Sequence, residues 1–352
     1  MSSAGTARKY AGIAGAAVGV IAAGAAAGVL AERRLIRRGR APTGEAFGSL
    51  RGSQHTVAAD DDLALHAEVE EPKGRGAHSK SPTLVFVHGY ALNLDCWHFQ
   101  RAALRDDHRM IFYDQRSHGR SARSRREHCT IDQLGRDLAS VLDALAADER
   151  VVLVGHSLGG MSVMALAEQS PERFGSRIVG AMLISTSAGA LKASTLGLPG
   201  LPGRVVHWIS PALVATLART PRLVEGSRRF GSDIGFAVTR KLAFGSHAPP
   251  AYVDFTDEML AATPFDVVAD FFPGVDTHDK FAALPALAVT STVVVCGGRD
   301  AITPVSHSRR LAELVPGCRL LELPQAGHMI MLECHEAVTG AIRQLISRGG
   351  QA

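Results

Sequence analysis

The chain has 352 residues, 46% of them hydrophobic, which is ample for one large α/β domain or two small ones, and no long stretch reads as disordered. Its formal net charge of +4 is unevenly placed: residues 1–40 carry seven Arg or Lys against Glu32, and the remainder, with 31 basic and 33 acidic residues, is −2. The basicity therefore points to a membrane surface and excludes a nucleic-acid partner, while five scattered cysteines without a C-x-x-C pair leave neither a metal nor a cofactor to be expected.

In chain order, the first element is the uncharged stretch from Ala11 to Ala31, nearly all Ala, Gly, Val, Ile or Leu. As a helix it would be roughly 31 Å long, close to the thickness of a bilayer core. Residues 1–40 are accordingly predicted to be a membrane anchor with basic flanks. The five arginines after residues 11–31 favour a single-pass protein with its catalytic part on the cytoplasmic side. The alternative is an export signal cleaved after Ala31 and a secreted product.

Residues 41–54, rich in Gly, Pro, Ser and Arg, read as a linker. Two strands follow, His55–Ala59 and Leu63–Val69, around the turn Asp60-Asp61-Asp62. Beyond the loop Glu71–Pro82, short aliphatic runs alternate with amphipathic stretches. Thr83–Val87, Met110–Tyr113, Val151–Val154, Gly180–Ile184, Thr292–Cys296 and Arg319–Leu323 are predicted strands. Cys96–Leu104, Ile131–Ala146, Leu158–Gln169, Val305–Val315 and Glu333–Ser347 are predicted helices. Continuous apolar strands alternating with helices predict a mostly parallel sheet covered on both faces, made mixed by the early hairpin. The alternation stops between residues 187 and 283, where helical periodicity with many Pro and Gly predicts a helical cap over the carboxyl ends of the strands. The core is then read as residues 55–186 and 284–352.

The sharpest local signal is Gly155-His156-Ser157-Leu158-Gly159-Gly160, between a strand and a helix. Small residues flank a serine there because the turn is tight and its backbone strained, and the turn lifts the hydroxyl above the sheet. A serine hydroxyl needs a base to remove its proton. His328, in Pro324-Gln325-Ala326-Gly327-His328 after the last strand, lies on the same edge of the sheet. His88 and His156 are the rival histidines, and each sits in a functional turn where support of the backbone is the better reading. Asp300, closing Gly297-Gly298-Arg299-Asp300 after the preceding strand, supplies the carboxylate that would orient the base.

His88-Gly89-Tyr90 ends the strand Thr83–Val87, and its turn is expected to aim the Tyr90 backbone N–H at the site, with the Leu158 N–H as the second oxyanion donor. In Asp114-Gln115-Arg116-Ser117-His118-Gly119-Arg120-Ser121, Asp114 and Arg116 are expected to fix a supporting loop.

Together H-G-Y (88–90), D-Q-R-S-H-G-R-S (114–121), G-H-S-L-G-G (155–160), G-G-R-D-A-I-T-P (297–304) and A-G-H (326–328) resemble the α/β-hydrolase superfamily, in its serine esterase and lipase-like branch. The resemblance spans roughly residues 55 to 350. It implies an eight-stranded, mostly parallel sheet with a helical cap, a triad of Ser157, Asp300 and His328, and an oxyanion pair at Tyr90 and Leu158. Ser117-His118 stands where many relatives have Gly after D-x-R. The expected activity is hydrolysis of an ester-like bond in a small molecule with an apolar acyl group, through an acyl-enzyme on Ser157. Thioester, lactone or carbon–carbon bond hydrolysis is the alternative, and a non-catalytic binding protein of the same fold is a third reading.

Overall fold

The computed structural model describes residues 45–73, 81–189 and 239–349. Eight strands form one sheet: β1 (Ser53–Ala58), β2 (Ala64–Glu70), β3 (Thr83–Val87), β4 (Met110–Tyr113), β5 (Val151–His156), β6 (Ile178–Ile184), β7 (Ser291–Gly297) and β8 (Arg319–Leu323). Their order is β1-β2-β4-β3-β5-β6-β7-β8. β2 runs antiparallel to β1 and β4, and every other pair is parallel. Every residue of β3, β4, β5 and β6 is buried, as strands sandwiched between two helical layers require.

Successive side chains of a strand point to opposite faces, and the two faces have separate cores. On one, Val85, Ile111, Leu153, Leu183 and Val294 pack against α2 (Ile131–Leu145) and α3 (Leu158–Gln169). On the other, Phe86, Phe112, Val154, Met182 and Val295 pack against α1 (His98–Leu104) and the C-terminal helix. The helix expected over Cys96–Leu104 divides into a 3₁₀ turn, Leu94–Trp97, and α1. Asn93 starts that turn, its side chain accepting the Asp95 N–H.

Helices α4 (Pro250–Ala262) and α5 (Phe265–Asp276) precede α6 (Leu284–Ala288) and α7 (Val305–Leu314). The helix expected over Glu333–Ser347 is α9 (His335–Gly349), preceded by a separate short helix, α8 (Ile330–Glu333). α4, α5 and the segment before them touch the loops that leave the carboxyl ends of β3, β4 and β8. Thr263 Oγ1 donates to the Ala91 carbonyl at 2.9 Å, the rings of Phe271 and His118 are 5.4 Å apart, and the Met329 N–H donates to the Ala243 carbonyl at 2.8 Å.

The expected single-pass, membrane-associated localisation is corrected. Among the described residues no helix is long and apolar enough to cross a membrane. The longest described helices, α2 and α9, have 15 residues each, about 22 Å at 1.5 Å per residue against a bilayer core of about 30 Å. Residues 11–31, on which the expectation rested, lie outside the described residues, as do residues 190–238 of the expected cap.

Candidate active site

β5 ends at His156, α3 begins at Leu158, and Ser157 alone makes the turn between them, with φ 52° and ψ −115°. That left-handed conformation is costly for a residue with a Cβ, and its surroundings hold it in place. The Ser157 N–H donates to the Ile184 carbonyl at 2.9 Å, and Thr186 Oγ1 donates to the Ser157 carbonyl at 2.7 Å. The flanking glycines are required by contact. A Cβ on Gly155 would lie 2.6 Å from the Gly159 carbonyl oxygen, and one on Gly159 would run into the Val87 carbonyl.

His328 follows β8 and Asp300 follows β7, so neighbouring strands deliver both to one edge of the sheet. His328 Nδ1 and Asp300 Oδ2 are 2.9 Å apart, both residues being buried. Asp300 accepts three further bonds: Oδ1 from the N–H groups of Ile302 (2.9 Å) and Thr303 (2.8 Å), and Oδ2 from Thr303 Oγ1 (2.8 Å). Burial by itself would raise this carboxyl's pKa, but the neighbouring imidazole and the Thr303 donors outweigh it and hold Asp300 below the usual carboxylate range. With a carboxylate facing Nδ1, the proton resides on Nδ1 and Nε2 is left as the basic nitrogen.

The His328 loop is fixed from below. Glu333 accepts the Gly327 N–H at 2.6 Å and the Gly245 N–H at 2.9 Å. His156 Nε2 donates to the His328 carbonyl at 3.0 Å, and the two rings are 4.8 Å apart. Burial, reinforced by its neighbour His328, pushes His156 down to about 3, so it is neutral at pH 7. His156 thus ties the serine turn to the His328 loop. The Ser157 hydroxyl itself makes no hydrogen bond among the described residues. Bonds of this type often tighten only when substrate is bound.

His88, Gly89 and Tyr90 follow β3 beside the serine: a Cβ on Gly89 would sit 3.3 Å from that of Ser157 and 2.6 Å from His156 Nδ1. The next residue, Ala91, also has positive φ, at 57°. The Tyr90 hydroxyl donates to the Val268 carbonyl of α5. Leu158 is the first residue of α3, so its N–H has no intrahelical acceptor and is free to face a ligand. Asp114 is buried and pins two loops, accepting the Leu94 N–H at 2.8 Å and the Arg120 N–H at 2.9 Å. Arg116 is fully buried away from the serine, paired through Nε and Nη2 with Asp137 at 2.6 Å and through Nη1 with Asp61 at 3.0 Å. Both residues therefore fix structure. Among the described residues no cluster of three or more His, Cys, Asp or Glu could hold a metal.

This strand order, with a serine at the β5–α3 turn and a His–Asp pair after β8 and β7, coincides with a match of residues 82–333 to the family described as the alpha/beta hydrolase fold. The chain belongs to that family. A 259-residue stretch is 30% identical to the dihydrolipoyllysine-residue acetyltransferase component of the acetoin cleaving system of Pseudomonas putida, covering 72% of this chain and 60% of that protein. The chain thus spans less than two thirds of that relative. Over 307 residues it is 27% identical to the rhodomycin D methylesterase of Streptomyces peucetius, covering 81% of this chain and 96% of the esterase. Among solved structures, the enol-lactonase of Burkholderia xenovorans LB400 superposes with a TM-score of 0.64 at 25% identity, covering 83% of this chain and all of that one. This α/β-hydrolase is accordingly a hydrolytic enzyme.

Four polar residues of this α/β-hydrolase site escape a reading of the sequence: Gln115, Ser162, Thr303 and Glu333. Gln115 and Thr303 stand inside recognised motifs, but a Gln or Thr in a loop has no distinctive signature. Ser162 lies on a buried helix face, and Glu333 resembles an ordinary surface acid until the fold brings Gly245 and Gly327 to it.

Proposed function

We propose that this α/β-hydrolase cleaves a carboxylic ester of a small molecule through an acyl-enzyme on Ser157. The observation that carries the reading is the buried Asp300–His328 pair at 2.9 Å, whose loop His156 ties to the turn of a serine in strained backbone at the end of β5. Nε2 of His328 takes the Ser157 proton as Oγ bonds to the ester carbonyl carbon. The resulting oxyanion is received by the N–H groups of Tyr90 and Leu158, each worth about 3 kcal/mol of transition-state stabilisation. Collapse expels the alcohol, which takes the proton from His328. A water molecule, deprotonated by the same nitrogen, then releases the acid and restores the serine. Asp300 stays ionised throughout and stabilises the imidazolium.

In this reading α4 and α5, the described helices between β6 and β7 nearest the carboxyl ends of the strands, belong to a lid over the core. Val267 and Phe271 of α5 are fully buried in the core beside the Tyr90 turn and anchor that helix there. A lactone, an internal ester opened by the same steps, is the second reading, favoured by the likeness to the enol-lactonase. Hydrolysis of p-nitrophenyl esters and of lactones of matched acyl length by wild type, Ser157→Ala and His328→Ala separates them. Both variants should lose at least about a thousandfold in kcat on the preferred class. Undiminished turnover in either would refute its assigned role.

A further inference from the structure

We infer that Gln115 is a positioning residue that sets both oxyanion donors at once, through His88 on one side and Ser162 on the other. The inference rests on Ser157 being the nucleophile. Gln115 follows β4, is fully buried, and uses both ends of its amide and its own backbone N–H. Nε2 of Gln115 donates to the His88 carbonyl at 2.7 Å, and its backbone N–H donates to His88 Nε2 at 2.9 Å. An imidazole nitrogen that accepts there is unprotonated, so the proton of the neutral ring sits on Nδ1. Nδ1 in turn donates to the Gly89 carbonyl at 2.7 Å.

That last bond has a geometric consequence. The Gly89–Tyr90 peptide is trans, like every described peptide bond of the chain, so its C=O and N–H point in opposite directions. Anchoring the carbonyl on the His88 ring therefore turns the Tyr90 N–H away from that ring. The Leu92 N–H, 3.3 Å from the same carbonyl, reinforces the arrangement.

The other end of Gln115 reaches the nucleophile helix. Its Oε1 accepts from Ser162 Oγ at 2.7 Å, and that hydroxyl is also 3.0 Å from the Leu158 carbonyl, one turn earlier on α3. His88, Gln115 and Ser162 are each 0% exposed, so no water can replace a bond that is lost. One side chain thereby fixes the loop that carries the Tyr90 N–H relative to the helix that carries the Leu158 N–H. Burial pushes His88 down to about 4, so the ring keeps this single neutral form through the range in which a histidine base works.

Steady-state hydrolysis of p-nitrophenyl acetate by the full-length protein tests this with Gln115→Leu, Ser162→Ala and Ser162→Thr, alongside Ser157→Ala. Displacing rather than deleting an oxyanion donor should lower kcat of Gln115→Leu by about tenfold to a hundredfold, with KM changed by less than about threefold. Ser162→Ala should lose kcat several-fold, and Ser162→Thr, which keeps the hydroxyl, should recover most of it. Wild-type kcat in Gln115→Leu, or a loss confined to KM, overturns the inference. If Gln115→Leu does not fold, the Ser162 pair decides: equal kcat for Ala and Thr overturns it. Retained turnover in Ser157→Ala overturns instead the nucleophile beneath it, and is recognised in a different variant.

Discussion

Asp300 illustrates how a charge is kept in a buried place. It accepts four hydrogen bonds, from two backbone N–H groups, one hydroxyl and one imidazole, so burial is offset and the carboxyl stays ionised over the working range of the enzyme. Replacing it with Asn should invert the logic of the pair. An amide N–H facing Nδ1 would drive the imidazole proton to Nε2, the nitrogen required to be basic. Asp300→Asn is expected to lower kcat by about 10³- to 10⁴-fold with an unchanged near-UV circular dichroism spectrum; a loss under tenfold would remove Asp300 from its role. At this scale the sequence was readable where a residue type is forced by geometry. Ser157 between glycines, Asp300 after Gly297-Gly298 and His328 after Gly327 stand at strand ends where side chains are crowded out, and that crowding is visible as glycine. Gln115 gave no comparable signal, because its role depends on a partner 27 residues away that only the fold supplies, and Thr303 gave none because a Thr three residues past an Asp has the look of any loop residue.

Elements were legible to the extent that burial dictates their composition. Interior strands buried on both faces must be continuously apolar, so β3, β4 and β8 begin and end where the aliphatic runs do, and α3 occupies the predicted residues. β5, β6 and β7 extend one to two residues further than the aliphatic cores suggested, through Gly155-His156, Ile178-Val179, Ser291 and Gly297. Ladder pairing continues through Gly155-His156, Ser291 and Gly297 although those side chains do not announce a strand, whereas the β-branched Ile178-Val179 are ordinary strand formers separated from the run by Gly180. The break between α8 and α9 was invisible for a similar reason: helical periodicity runs through Cys334, while Glu333 is drawn aside to bind Gly245 and Gly327. An uncharged Ala- and Gly-rich stretch meets the length criterion for a membrane span but lies outside the described residues, among which no helix does so.

At the scale of the whole molecule, four of the buried histidines among the described residues have their pKa pushed far down and are neutral at pH 7. Burial pushes His88 and His278 down to about 4 and His118 and His156 down to about 3. An unfolded chain takes up those protons near pH 6.5, whereas the folded one does so only well below pH 5. Stability is therefore lost as pH falls through 6.5 and continues to fall toward 4, by up to about 1.4 kcal/mol per pH unit for each histidine. Asp114 and Glu333, whose carboxyls burial pushes up, run the other way and offset part of the loss. The midpoint of thermal unfolding should drop between pH 7 and pH 4.5; a flat or rising midpoint would contradict the neutral state of these rings.

The sheet gathers a serine from residue 157, an acid from residue 300 and an imidazole from residue 328 at one edge, and the proposed chemistry requires that the serine alone becomes covalently modified. Treatment of the full-length protein with a fluorophosphonate, followed by peptide mass spectrometry, reads that out. The adduct is expected on Ser157, with none in Ser157→Ala and far slower labelling in His328→Ala. A hydrolytically active wild type that stays unlabelled, or carries the adduct on another side chain, would contradict the central claim.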